Sequence, residues 1–124
     1  MSLKAFLLVG AGGAVGSMAR YGVSFMINKI APDPIHFAGT FVINIVGAFI
    51  IGVLFGLAGR HQVNEELYLL LASGFCGGFT TFSTFALENV DLFQKGQSVT
   101  AFMYMGLSVI IGLLLCRVGI WLAS

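Results

Sequence analysis

Charge constrains this chain more than any other feature, because it is spaced so widely that long stretches carry none. Residues 67–87 lie uncharged between Glu66 and Glu88, and residues 96–116 lie uncharged between Lys95 and Arg117. A third stretch runs from after Asp33 to before Arg60, with His36 near one end, and a fourth runs from about Leu3 to Asn28 with Arg20 inside it. A helix rising about 1.5 Å per residue needs about 20 apolar residues to cross a hydrocarbon layer about 30 Å thick. Each stretch is long enough. The chain has 124 residues, 58% apolar and 9% charged, where soluble domains average roughly 25% charged. It reads as an all-α membrane protein, a single domain over 1–124 with four transmembrane helices at about 3–28, 35–58, 67–93 and 97–121.

The joints between spans read as turns, "APDP" at 31–34, "GRHQVN" at 59–64 and "QKGQS" at 94–98. A membrane β-barrel would alternate apolar and polar residues in segments of about ten, whereas "FVINIVGAFIIGVLFGLAG" is apolar on every face. The first apolar stretch carries Lys4 and small residues in the manner of a signal peptide. More membrane follows it rather than a soluble domain, so it is read as a span.

Orientation follows the side with more Lys and Arg in short loops. Here the two sides tie, Lys4, Arg60 and Arg117 against Lys29, Lys95 and Arg20. Either one residue near the boundary tips the balance, or the chain inserts both ways and pairs antiparallel. Gly12 with Gly16, Gly52 with Gly56 and Gly74 with Gly78 have the four-residue spacing that lets membrane helices approach closely. Such pairs serve oligomers and single bundles equally well.

Most chemistry is excluded. A net charge of +1 offers no basic patch to a nucleic acid. Cys76 and Cys116 have neither redox nor metal spacing, and His36 and His61 sit in or beside loops. No enzyme's catalytic set assembles, since Ser83 or Ser108 with a loop histidine would be a forced construction.

What remains is "GFCGGFTTFSTF" at 74–85, which falls at the middle of the third span. Its glycine pair weakens a helix at a depth without water, so the third helix is expected to break at mid-membrane, inside protein or beside a hydrated cavity. Asn44 lies near the middle of the second span, and Tyr104 and Ser108 flank the middle of the fourth. Hydroxyls, amides and the positive edges of phenylalanine rings offer hydrogens to an anion without any fixed charge. Arg20 either snorkels to the surface or lends positive potential to an aqueous vestibule. The bland alternative is that serine and threonine bond their own backbone and phenylalanine faces lipid.

The twelve-residue stretch resembles the signature of the Fluc (CrcB) family of small fluoride channels, and "GGAVGSMARY" at 12–21 and "GTFVINIVG" at 39–47 resemble that family's other two motifs. Ser17 and Phe79 are mild departures from it. The resemblance implies an antiparallel dual-topology homodimer in the bacterial cytoplasmic membrane, surrounded by lipid, passing fluoride passively out of the cell. It places Phe82, Phe85 and Asn44 on the fluoride pathway and Arg20 at its vestibule. Thr81, Ser83, Thr84, Tyr104 and Ser108 resemble hydroxyl-bearing positions along or beside that pathway. The backbone carbonyls of Gly77 and Thr80 match those that hold a structural sodium ion between subunits. The rival classes are a small dual-topology multidrug exporter, which needs a buried glutamate in the first span that this chain lacks, and a non-conducting membrane scaffold.

Overall fold

A computed structural model describes residues 2–31 and 36–124. Helix α1 spans Leu3–Ile30 and α2 spans Ala38–Gly59. The third crossing is built in pieces: α3 at Glu65–Tyr68, a π-helical stretch at Leu69–Cys76, α4 at Gly77–Phe79 and α5 at Ser83–Gln94. Helix α6 spans Ser98–Ala123. The described residues contain no strand. Among the described residues, four stretches are long and apolar enough to cross a membrane, Leu3–Ile30, Ala38–Gly59, Glu65–Gln94 and Ser98–Ala123. Most of the turn expected at 31–34, and residue 35, lie outside the described residues.

The helix ends follow from local chemistry. The Ser2 hydroxyl accepts from the Ala5 N–H at 3.1 Å and caps α1. Asn64 caps α3 by accepting from the Leu67 N–H at 2.7 Å, and Glu65 and Glu66 sit in that first turn, where the helix dipole favours negative charge. Glu66 also pairs with Lys4 at 2.8 Å, tying the starts of the first and third crossings together. Helix α5 ends with Gln97 N–H on the Leu92 carbonyl and Gly96 N–H on the Phe93 carbonyl, while Gly96 takes φ 75°. Helix α2 ends in the same pattern, Gln62 to Leu57 and His61 to Ala58, but His61 occupies the left-handed position at φ 58°.

The glycine pairs are spent inside the subunit. A Cβ on Gly12 would strike the Leu70 carbonyl oxygen, one on Gly16 the Phe75 carbonyl, and one on Gly78 the Gly13 carbonyl, so α1 lies backbone to backbone against the π-helical stretch and α4. A Cβ on Gly52 would strike the Cys116 carbonyl, and one on Gly119 the Phe49 carbonyl, which is how α2 runs along α6. Two small cores result. Leu54, Ala72 and Cys76 form one, and Leu92, Ala101 and Tyr104 form the other beneath Phe37, Phe41 and Phe85. The outer faces stay apolar, with Leu7, Met18 and Phe25 exposed on α1 and Phe102, Ile110 and Trp121 on α6.

Candidate functional site

Helical backbone stops at Phe79 and resumes at Ser83. Thr80 turns to an extended conformation, φ −88° and ψ 161°, and side chains take over the polar groups that the helix releases. The Thr80 N–H and hydroxyl both donate to the Cys76 carbonyl, at 3.1 and 2.9 Å. Asn44 brackets the Thr81 peptide: its Nδ2 donates to the Thr81 carbonyl at 3.0 Å and its Oδ1 accepts from the Thr81 N–H at 2.9 Å. The Thr81 hydroxyl accepts from the Thr84 N–H at 3.2 Å and opens α5. Arg20, from α1, donates through Nε to the Gly78 carbonyl at 2.9 Å. Gly47 gives this turn its room, because a Cβ there would strike the Thr80 methyl.

These bonds take two backbone N–H groups away from their usual helical acceptors. In a continuous helix the Thr81 N–H would serve Gly77 and the Thr84 N–H would serve Thr80. Here the first goes to Asn44 and the second to the Thr81 hydroxyl. Gly77 also faces open space, with no atom within 4 Å of where a Cβ would stand.

A groove there has a volume of about 480 Å³ and is lined by Gly77, Thr80, Thr81, Phe82, Phe85 and Ser108, with Asn44 from α2. None of its lining residues carries a charge. Phe82 stands 79% exposed, its ring centre 6.0 Å from that of Phe85. The Ser108 oxygen is shielded from solvent and has no hydrogen-bond partner within the chain.

Other expected site residues stand differently. Ser83 and Thr84 lie on the first turn of α5 and do not line the groove, although the Ser83 oxygen is 3.5 Å from the Thr81 hydroxyl. Tyr104 is buried behind Phe85, which meets it edge-on at 5.0 Å between ring centres. Its hydroxyl donates to Glu88 Oε1 at 2.8 Å, and the Thr40 hydroxyl donates to Glu88 Oε2 at 2.9 Å. Arg20 is half-buried and bonds the break through Nε.

The spacing of residues 81–88 already sets Glu88 on one helix face with Thr81 and Thr84, besides marking a span's edge, but Thr40 was not singled out, although it lies one turn before Asn44.

Comparison with known proteins bears on this arrangement. The family described as CrcB-like protein, Camphor Resistance (CrcB), matches residues 7–120. A protein of Phocaeicola vulgatus named fluoride-specific ion channel FluC is 39% identical, the match covering 98% of this chain and all of that one. Proteins of the same name from Flavobacterium psychrophilum and Chlorobium phaeobacteroides are 40% and 43% identical, each over 98% of this chain and over 98% and 94% of their own lengths. A match across nearly the whole chain, including the helix interruption and both of its supporting helices, means that this chain belongs to the CrcB family.

Proposed function

We infer that the chain is a fluoride-selective channel, a passive conduit and not an enzyme, which lets fluoride leave the cell across the bacterial cytoplasmic membrane. The observation that carries this reading is the uncharged groove beside the helix interruption, lined by Asn44, Thr81, Ser108 and the rings of Phe82 and Phe85. Hydroxyl hydrogens and ring edges stand in for part of an anion's water shell. Cations would call for carboxylates or ordered carbonyls along the path, and the groove wall carries no carboxylate. The relatives named as fluoride channels support the same choice of ion.

The working unit on this reading is an antiparallel homodimer, with the interruption of the third crossing at mid-membrane. The groove is open on one side, and Phe82 stands 79% exposed beside it. The chain's accessible surface of 7721 Å² exceeds the roughly 6,400 Å² expected for a compact chain of 13.2 kDa. A second copy inverted over the groove would cover both. The tied loop charges support inversion, since neither end of the chain is held on one side.

Sodium fits the two carbonyls. Gly77 and Thr80 have lost their helical donors, and two copies would supply four hard neutral oxygens, a suitable set for a hard monovalent cation. Bound there, the cation would join the two interruptions and lower the potential that an entering anion meets.

Fluoride efflux from liposomes holding the purified protein, followed with a fluoride electrode beside chloride and without a proton gradient, tests the reading. Passive fluoride flux well above chloride flux is the expected result; no flux from folded dimer refutes it. Replacing sodium by potassium throughout preparation should impair dimer stability or flux, and indifference to the exchange removes sodium from the account.

A further inference from the structure

The two rings of the groove are held differently. Phe82 stands 79% exposed at the N-cap of α5, whereas Phe85, in the first turn of that helix, is half-buried and meets Tyr104 edge-on at 5.0 Å between ring centres. One turn further along α5 stands Asn89. Phe85, Asn89 and Leu92 share a face of α5, and there Leu92 joins Ala101 and Tyr104 of α6 in the second core, with Phe85 packed against it. Asn89 is 4% exposed and does not line the groove.

Asparagine is a poor filler for that place. Its Nδ2 donates to the Phe85 carbonyl at 2.9 Å, while its Oδ1 is shut off from solvent and has no hydrogen-bond partner. Turning the amide over would set Oδ1 against the Phe85 carbonyl oxygen, two acceptors face to face. No second copy of the chain reaches the bare oxygen either, because it is buried within one subunit. An apolar side chain of similar size would fill the site without an unsatisfied acceptor. What asparagine adds is a second donor on one carbonyl, since within α5 the Phe85 oxygen is already the helical acceptor for the Asn89 N–H. The two donors together restrain the peptide that carries the Phe85 ring, as a serine or threonine does when it bonds the carbonyl four residues back and bends its helix.

We propose that Asn89 is a positioning residue for Phe85: it touches no ion, and it fixes the ring that joins the core to the groove. The proposal rests on the fluoride-channel reading. A ring replaces an anion's water only where its edge hydrogens point at the path, so a small rotation of the Phe85 backbone turns that contact into a plain apolar wall.

Threonine and valine at position 89 have nearly the same shape, but only the threonine hydroxyl can bond the Phe85 carbonyl. Fluoride and chloride efflux from liposomes holding the purified protein, with denaturant unfolding in detergent on the same preparations, makes the comparison. Asn89→Val should unfold at the same denaturant concentration as wild type or a higher one, because the bare oxygen is gone. It should nevertheless pass fluoride about two- to tenfold more slowly, the range that corresponds to one ring contact of ordinary strength. Asn89→Thr should pass fluoride within about twofold of wild type, since the bond to the carbonyl is restored. Where Asn89→Val does not fold, Asn89→Ala against Asn89→Ser repeats the test. Wild-type fluoride flux in Asn89→Val, or flux in Asn89→Thr as low as in Asn89→Val, overturns the proposal and leaves the channel reading intact. A wild-type protein that passes no fluoride defeats the channel reading itself.

Discussion

Replacing Asn44 by leucine separates two jobs that one side chain could perform. If Asn44 served only by touching the passing ion, its loss would reduce flux and leave folding untouched. The geometry assigns it a structural job as well, because it is both donor and acceptor to the Thr81 peptide at 3.0 and 2.9 Å. Leucine is close in size but leaves the Thr81 N–H and carbonyl unsatisfied beside an apolar wall. Each orphaned group costs about 1–3 kcal/mol in a folded protein, while side-chain hydrogen bonds in membranes average about 0.6 kcal/mol and reach about 1.7. Taking the lower part of the first range, Asn44→Leu should destabilise each chain by about 2–4 kcal/mol. Asn44→Asp should fall between, since it keeps an acceptor for the Thr81 N–H but sets an oxygen against the Thr81 carbonyl. Reversible denaturant unfolding in detergent measures the stability, with flux measured on the same preparations. An Asn44→Leu protein within about 0.5 kcal/mol of wild type would refute the bracketing argument, whatever its flux.

Ser108→Ala should be the converse case: the hydroxyl has no partner within the chain, so stability should hold while fluoride flux falls, and unchanged flux removes Ser108 from the path. Gly47→Ala should cost about 1–3 kcal/mol through overpacking against the Thr80 methyl and should lower flux, whereas Gly10→Ala, where the added carbon meets nothing within 4 Å, should be neutral or slightly stabilising in the same unfolding measurement. Phe82→Ile and Phe85→Ile should lower flux with the dimer intact by size-exclusion chromatography, and full flux in both variants would take the rings out of the mechanism. His61→Gly should stabilise the end of α2 by about 0.5–1 kcal/mol, because glycine adopts the φ of 58° without a Cβ penalty.

The parts of this structure that answer to bilayer physics were legible in the sequence. Hydrocarbon tolerates no unpaired backbone, so the uncharged stretches had to be helices. The partners of the freed groups were not legible. Asn44 and Thr81 lie 37 positions apart, and their mutual hydrogen bonds depend on how α2 sits against the third crossing. The partners of Glu88 were hidden for a related reason. A carboxylate marks a span's edge when only its own strip of sequence is considered, and it becomes an interior group once hydroxyls from two other helices reach it. The glycine pairs were compatible with contacts inside or between subunits, and only backbone positions assign them to the inside. The π-helical stretch at Leu69–Cys76 has no counterpart in residue pattern at all.

Two charged side chains of the bundle have neutral hydrogen-bond partners on other elements. Arg20 lies on the Gly78 carbonyl, and Glu88 is held at both oxygens by hydroxyl donors. This leaves a groove wall of dipoles. In a low-dielectric interior a free guanidinium would hold an anion by an interaction far stronger than in water, and a free carboxylate would exclude it. Conduction needs binding strong enough to replace lost water yet weak enough to release. On the channel reading, the hydroxyl of Ser108 and the rings of Phe82 and Phe85 give a small anion partial replacement of its water and no counter-charge to trap it. The side chains that complete the helix interruption thus do more than repair it: by fixing Arg20, the Thr81 peptide and the threonine hydroxyls in place, they keep the groove beside it neutral.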